Sequence, residues 1–125
     1  MNLIISTTNK EPLFLQIKDQ IKQHIYSGEL TEGDALPSMR VLAKNLKVSV
    51  ITTKRAYEEL EQEGYLVSTV GRGTFVAGQQ PQVLREWQIR EIENDLEKLV
   101  KASKHIGLTK VDLKEMIDIY FEEEK

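Results

Sequence analysis

The chain has 125 residues, 40% hydrophobic and 30% charged, which suits one globular domain with an appendage and not a disordered segment. No apolar run exceeds three residues, so a membrane-spanning helix of about 20 is excluded, and the absence of cysteine excludes disulfides, thiolate catalysis and Cys-type zinc sites. The composition is that of a soluble, cytoplasmic protein, and the net charge of −3 counts at first against a nucleic-acid partner.

In chain order, Leu3 to Ser6 is expected as a short strand. Pro12 suits the first turn of a helix, where its missing N–H is harmless. Phe14, Ile17, Ile21 and Ile25 then recur at helical spacing, and Gly28 is a left-handed stop. Glu32-Gly33-Asp34 is a turn. Pro37 discourages helix in Leu36, so Ser38 opens the next helix as its N-cap. That helix ends near Lys47, with Val41, Leu42 and Leu46 as its buried face. Lys47-Val48-Ser49 is a tight connection, and Ser49 caps a third helix running to about Gly64. Thr53, Ala56, Tyr57 and Leu60 form its core stripe. The period then switches to two β-rich runs, Tyr65 to Thr69 and Thr74 to Ala77, joined by Val70-Gly71-Arg72-Gly73. Helix, helix–turn–helix and hairpin follow in the order of a winged helix–turn–helix.

Gln79-Gln80-Pro81-Gln82 separates two periodic regions. The chain thus divides into a winged domain at 1–78, a linker at 79–82 and a helical tail at 83–125. In the tail, Ile89, Ile92, Leu96, Leu99, Ser103 and Ile106 alternate spacings of three and four, an a/d seam with one polar member. Gly107 ends that helix, and Thr109 to Asp112 is similar to a capping box with Asp in place of Glu. Leu113, Met116, Ile117 and Tyr120 mark a second stripe. Two such helices have no third element to cover them, so the tail must pack on the first domain or on a second copy, and a second copy is favoured. The fold class is α+β and mainly helical, a winged helix–turn–helix followed by a two-helix dimerisation hairpin.

The charge is unevenly placed. Residues 1–80 carry nine lysines and arginines against nine acids, whereas residues 81–125 carry eight against eleven. From Ala35 to Tyr57 there is no acid, but there are five bases: Arg40, Lys44, Lys47, Lys54 and Arg55. The third helix also runs against its own dipole, with Lys54 and Arg55 early and Glu58, Glu59, Glu61 and Glu63 late. A polyanion docked at the helix N-terminus would reward that arrangement, with the glutamates facing away from a duplex. Any single lysine here is better read as a solvated charge; the window and the reversed helix together favour a ligand. Arg72 between two glycines suits a wing tip that probes a minor groove or phosphate, or simply a soluble hairpin tip.

These residues carry a resemblance. Pro12-Leu13, Gln16-Ile17, Gly28-Glu29-Leu30 and the run Gly33-Asp34-Ala35-Leu36-Pro37-Ser38-Met39-Arg40-Val41-Leu42-Ala43 are similar to the signature of the GntR family. Lys54-Arg55-Ala56-Tyr57-Glu58-Glu59-Leu60, Glu63-Gly64-Tyr65-Leu66 and Gly71-Arg72-Gly73-Thr74-Phe75-Val76 continue it. The resemblance covers about residues 11 to 77, and the short helical tail resembles the YtrA-type subfamily. It implies a dimeric transcription regulator, usually a repressor, on a palindromic operator in double-stranded DNA, often beside transporter genes. Carried over by position, Ser38 and Arg40 touch DNA at the start of the second helix. Ser49, Val50, Ile51, Thr52, Lys54 and Arg55 lie on the recognition helix, with Gly71 and Arg72 at the wing tip. At Val50 many relatives place arginine or asparagine, which pair bidentately with a base, whereas valine offers apolar contact such as a thymine methyl.

Two other classes fit the residues less well. A winged-helix module that binds protein would lack the acid-free window. An enzyme has little support: His24 and His105 stand in different elements, and no phosphate loop, nucleotide fingerprint or triad pattern is present. No cofactor or metal is expected. Trp87 and Tyr120 read as core or dimer contacts, and the groove between the tail helices is the candidate place for an unidentified small-molecule effector.

Overall fold

The structure, a computed structural model, describes residues 1–124. Its elements are α1 (Leu13–Ser27), α2 (Met39–Leu46), α3 (Val50–Gln62), β1 (Leu66–Thr69), β2 (Gly73–Val76), α4 (Pro81–His105) and α5 (Lys110–Glu123). Two compact units result, divided between Leu84 and Arg85.

In the first unit the expected periodicities produce one core. Ile17, Ile21 and Ile25 of α1 meet Ala56, Tyr57 and Leu60 of α3, with Leu42 of α2 and Leu66 and Val76 of the hairpin closing the sides. Each fully buried aliphatic stabilises by about 1.5–3 kcal/mol. Pro12 is the N-cap residue of α1 and not part of its first turn, and Gly28 ends the helix with φ 88°. Ser38 and Ser49 cap α2 and α3, their hydroxyls accepting the Val41 and Thr52 N–H groups. Between them Lys47 takes a left-handed conformation (φ 57°, ψ 45°) usually left to glycine or asparagine. It lets the Val48 N–H reach back to the Ala43 carbonyl, so the two helices are joined in three residues.

The hairpin pairs Leu66 with Val76 and Thr69 with Gly73. Its turn is closed by the Arg72 N–H on the Thr69 carbonyl, which puts Gly71 (φ 78°) at the third turn position, where positive φ is required. A further bridge joins Ala35 to Phe75, with the Leu36 N–H on the Thr74 carbonyl, so the wing has a third, one-residue rung.

Three expectations are corrected. Leu3 to Ser6 is extended but forms no strand, because its partner is a helix. Gln16 and Gln20 each use both ends of the side-chain amide on the backbone of Ser6 and Ile4, and His24 Nε2 faces the Asn2 carbonyl at 3.0 Å. One helical turn per rung matches two extended residues, about 6 Å in each case, and Leu3 and Ile5 are thereby turned onto the core. Gln16, 4% exposed, also donates to the Glu11 carbonyl. Gln16→Leu should therefore strand the Ser6 amide and lower stability by about 1–3 kcal/mol, read by urea unfolding. Second, Val41 is 50% exposed and the buried face of α2 is Leu42 and Ala43. Third, Pro81 and Gln82 belong to α4 and not to a linker, because proline fits the first turn of a helix.

The second unit is built from most of α4 and from α5. Thr109 and Asp112 form the capping box at the start of α5. In α4 Ser103 is buried, its hydroxyl donating to the Leu99 carbonyl at 2.8 Å, so the polar seam member is satisfied within its own helix. Much of the apolar surface is bare: Ile89, Ile92, Leu96 and Leu99 of α4, Ile106 just after it, and Met116, Ile117 and Tyr120 of α5 are 41–72% exposed. Leu113 is half-buried beside the joint.

Candidate nucleic-acid interface

The first unit sorts its cations into two groups. Lys18 and Lys22 of α1 are engaged: Lys18 bonds to Glu59 at 3.0 Å and also to Glu63, and Lys22 bonds to Glu63 at 3.0 Å. Glu63 and Glu59 hold Lys18 above its ordinary pKa. Lys18 and Arg55 keep the Glu59 carboxyl below its own, and at Glu63 burial opposes the charge but Lys18 and Lys22 outweigh it. The reversed charge order of α3 thus has an internal cause, because its late glutamates clamp α1.

Arg55 belongs to this clamp. Its guanidinium lies over the Phe14 ring, 3.7 Å from the centroid, and its Nε donates to Glu59 at 3.1 Å. The Arg55 guanidinium is thus packed against Phe14 of α1, whereas other bases of the acid-free window stand free. Lys54 stands only 3.8 Å from Glu58, an exposed pair of little strength.

Arg40, Lys44, Lys47 and Arg72 are exposed, and no carboxylate partner holds them among the described residues. Arg40 and Lys44 are one turn apart on α2 and share a face. Ser38 and Ser49 stand exposed at the two helix starts, beside the open N–H groups of each first turn. The recognition turn of α3 presents Val50, 43% exposed, and Ile51, 79% exposed, while Thr52 is half-buried with its hydroxyl on that of Ser49 at 2.9 Å. Thr53 is buried, donating to the Met39 carbonyl and so tying α3 to α2. At the wing tip Gly71 and Arg72 are exposed, and Val70 beside them is fully so. Val70 was not singled out from the sequence, since an apolar residue at a turn carries no signal until its exposure is seen.

No group of three His, Asp or Glu side chains is placed to hold a metal among the described residues. No described helix is long and apolar enough to cross a membrane. His24 faces Glu29 and Asn2 and serves the N-terminal segment. A depression on α4 is lined by Glu93, Leu96, Glu97, Val100, Lys101 and Lys104 and includes nothing from α5. The expected groove between the tail helices is thus not what lines it.

The profile of the bacterial regulatory proteins of the gntR family matches residues 13–76, from the start of α1 to the end of β2. The chain belongs to the gntR family. Among its relatives, the uncharacterized HTH-type transcriptional regulator YhcF of Bacillus subtilis is 37% identical over 91% of this chain and 93% of its own length. The HTH-type transcriptional repressor YtrA of the same organism is 32% identical over 90% of this chain and 87% of itself. At 114 and 113 residues, both alignments take in α4 and reach α5. Among solved structures, the AraR DNA-binding domain in complex with operator ORE1 superposes with a TM-score of 0.52 at 28% identity, covering 62% of this chain and 94% of that one. The similarity places this chain among transcription regulators and not among enzymes.

Proposed function

We propose that this gntR protein is a DNA-binding repressor that recognises a palindromic operator as a homodimer. The observation that carries the reading is the sorting of charge. Bases on α2, the α2–α3 turn and the wing are left without carboxylate partners, while every acid near them on α3 that pairs across helices is committed to α1. A phosphate backbone supplies the missing counter-charge. The likeness to a domain solved in complex with an operator supports DNA binding.

In this reading Arg40 and Lys54 supply hydrogen bonds to bases or phosphates, Ser38 and Ser49 present helix N-termini to the backbone, and Arg72 enters a groove from the wing. Ile89, Ile92, Leu96, Leu99, Ile106, Leu113, Met116, Ile117 and Tyr120 form the surface on which a second copy packs. The regulated genes include a neighbouring transporter operon, as the family resemblance implies, and any small-molecule effector binds in the groove between the tail helices.

Footprinting the DNA upstream of its own gene tests the first part: a protected two-fold symmetric site is expected, and its absence from that region and from adjacent operons counts against an operator. Arg40→Ala and Lys54→Ala should each weaken operator binding by about 1–3 kcal/mol where they read a base. An equal, smaller loss on operator and random duplex in gel shifts would reassign them to phosphate.

A further inference from the structure

We infer that the recognition turn of α3 reads thymine methyl groups, and that the operator half-site places thymines in the major groove opposite Val50 and Ile51. The inference rests on the DNA-binding reading above and deepens it.

The first turn of α3 holds four side chains, and the structure divides them by chemistry. Both hydroxyls are used internally: Thr52 shares a hydrogen bond with the Ser49 cap at 2.9 Å, and buried Thr53 donates to the carbonyls of Met39 and Val50 at 2.9 and 3.0 Å. What remains toward solvent is aliphatic, Val50 at 43% and Ile51 at 79% exposure. Ile51 reaches furthest from the core at the helix end that carries the positive end of the dipole and the caps. Arg55, one turn on from Ile51, could have brought a guanidinium to the same face but is stacked on Phe14 and bonded to Glu59. No side chain of this turn can therefore make a bidentate pair with a base edge.

Two adjacent aliphatics this bare have no reason to be apolar in the free protein. Scattered exposed apolar residues are common, but these stand together on the helix end that follows Lys47, a cation with no carboxylate partner among the described residues, where water-exposed polar residues would serve a merely structural helix better. On a major-groove floor the one apolar group a base pair offers is the C5 methyl of thymine, and uracil is the same base without it. Phosphate contacts from Lys44 and Lys47 would hold the helix in place, and methyl contacts would choose the base pairs opposite Val50 and Ile51.

The test starts from duplexes selected by the full-length protein out of a randomised pool made with thymine. The best duplex is then synthesised with thymine and with deoxyuridine throughout, and both are titrated with the protein and with Ile51→Ala, a substitution at a site too exposed to disturb the core. Removing the methyls should weaken the unaltered protein roughly fourfold for each methyl contacted, the worth of one buried carbon. Ile51→Ala should lose affinity on the thymine duplex and lose little more on the deoxyuridine duplex. Equal affinity for the two duplexes, or an Ile51→Ala loss that is the same on both, overturns the methyl reading while leaving DNA binding intact. A pool from which nothing is enriched overturns the DNA-binding reading itself, and this inference with it.

Discussion

Replacing Leu96 and Leu99 together by glutamate should leave a folded, monomeric chain that binds a two-half-site operator roughly 10²–10⁴-fold more weakly, because the second half-site is no longer bound intramolecularly. Both leucines are about half exposed in the single chain, at 48% and 47%, so carboxylates there meet water and α4 keeps its hydrogen bonds. Across an interface between two tails the same carboxylates would be buried without partners, which several kcal/mol of apolar contact would not offset. Sedimentation of the variant at micromolar concentration should show a single-chain mass, while binding to an isolated half-site stays unchanged. A variant that still sediments as a dimer would remove the tail seam from the assembly.

The second large effect belongs to Tyr57, the largest fully buried side chain of the molecule. Its ring belongs to the buried core shared with residues of α1, α2 and the hairpin, and its hydroxyl donates to the Pro37 carbonyl at 2.8 Å. That carbonyl immediately precedes the Ser38 cap, so one side chain of α3 fixes where α2 begins. Tyr57→Ala should cost about 3–5 kcal/mol, as removal of a core aromatic does, and Tyr57→Phe about 1–3 kcal/mol for the unpaired carbonyl. Urea unfolding followed by helical circular dichroism measures both. Burial also pushes the Tyr57 phenol well above its usual value of 10. The unfolded chain sheds that proton first, so the contribution is complete at neutral pH. It declines as pH rises past about 10, by about 1.4 kcal/mol per unit. Tyr57→Phe should lack that part of the alkaline slope.

Much of this was legible in the sequence, and where it was not the reasons are specific. The core stripe of α3, Thr53 to Leu60, shows because burial and helical period coincide there. The serine caps show because Ser38 follows a proline and Ser49 precedes an unbroken helical pattern. The Ala35 rung did not, since a single paired residue has no alternation to detect. Val41 looked like core because valine is apolar, and only the packing of α2 shows that Leu42 and Ala43 take its place. Pro81 marked a break in hydrophobicity that was read as a linker, although the same residue suits a helix start. The role of Arg55 was hidden for a different reason. Its partners Phe14 and Glu59 lie 41 residues behind and one turn ahead, and only folding puts them on either side of one guanidinium. The tail seam was visible as a period, but its being uncovered in the single chain is a fact of surface, not of spacing.

The N-terminal segment, finally, acts as a vernier. Its rungs at residues 2, 4 and 6 engage helix residues 24, 20 and 16, so two scales of unlike period are locked in one phase. A slip of a single residue would turn Leu3 and Ile5 outward and offer the glutamines side chains instead of main chain. The same lock takes up the main-chain amides and carbonyls of Ile4 and Ser6, so the edge of the segment that faces α1 is closed to a foreign strand by a helix.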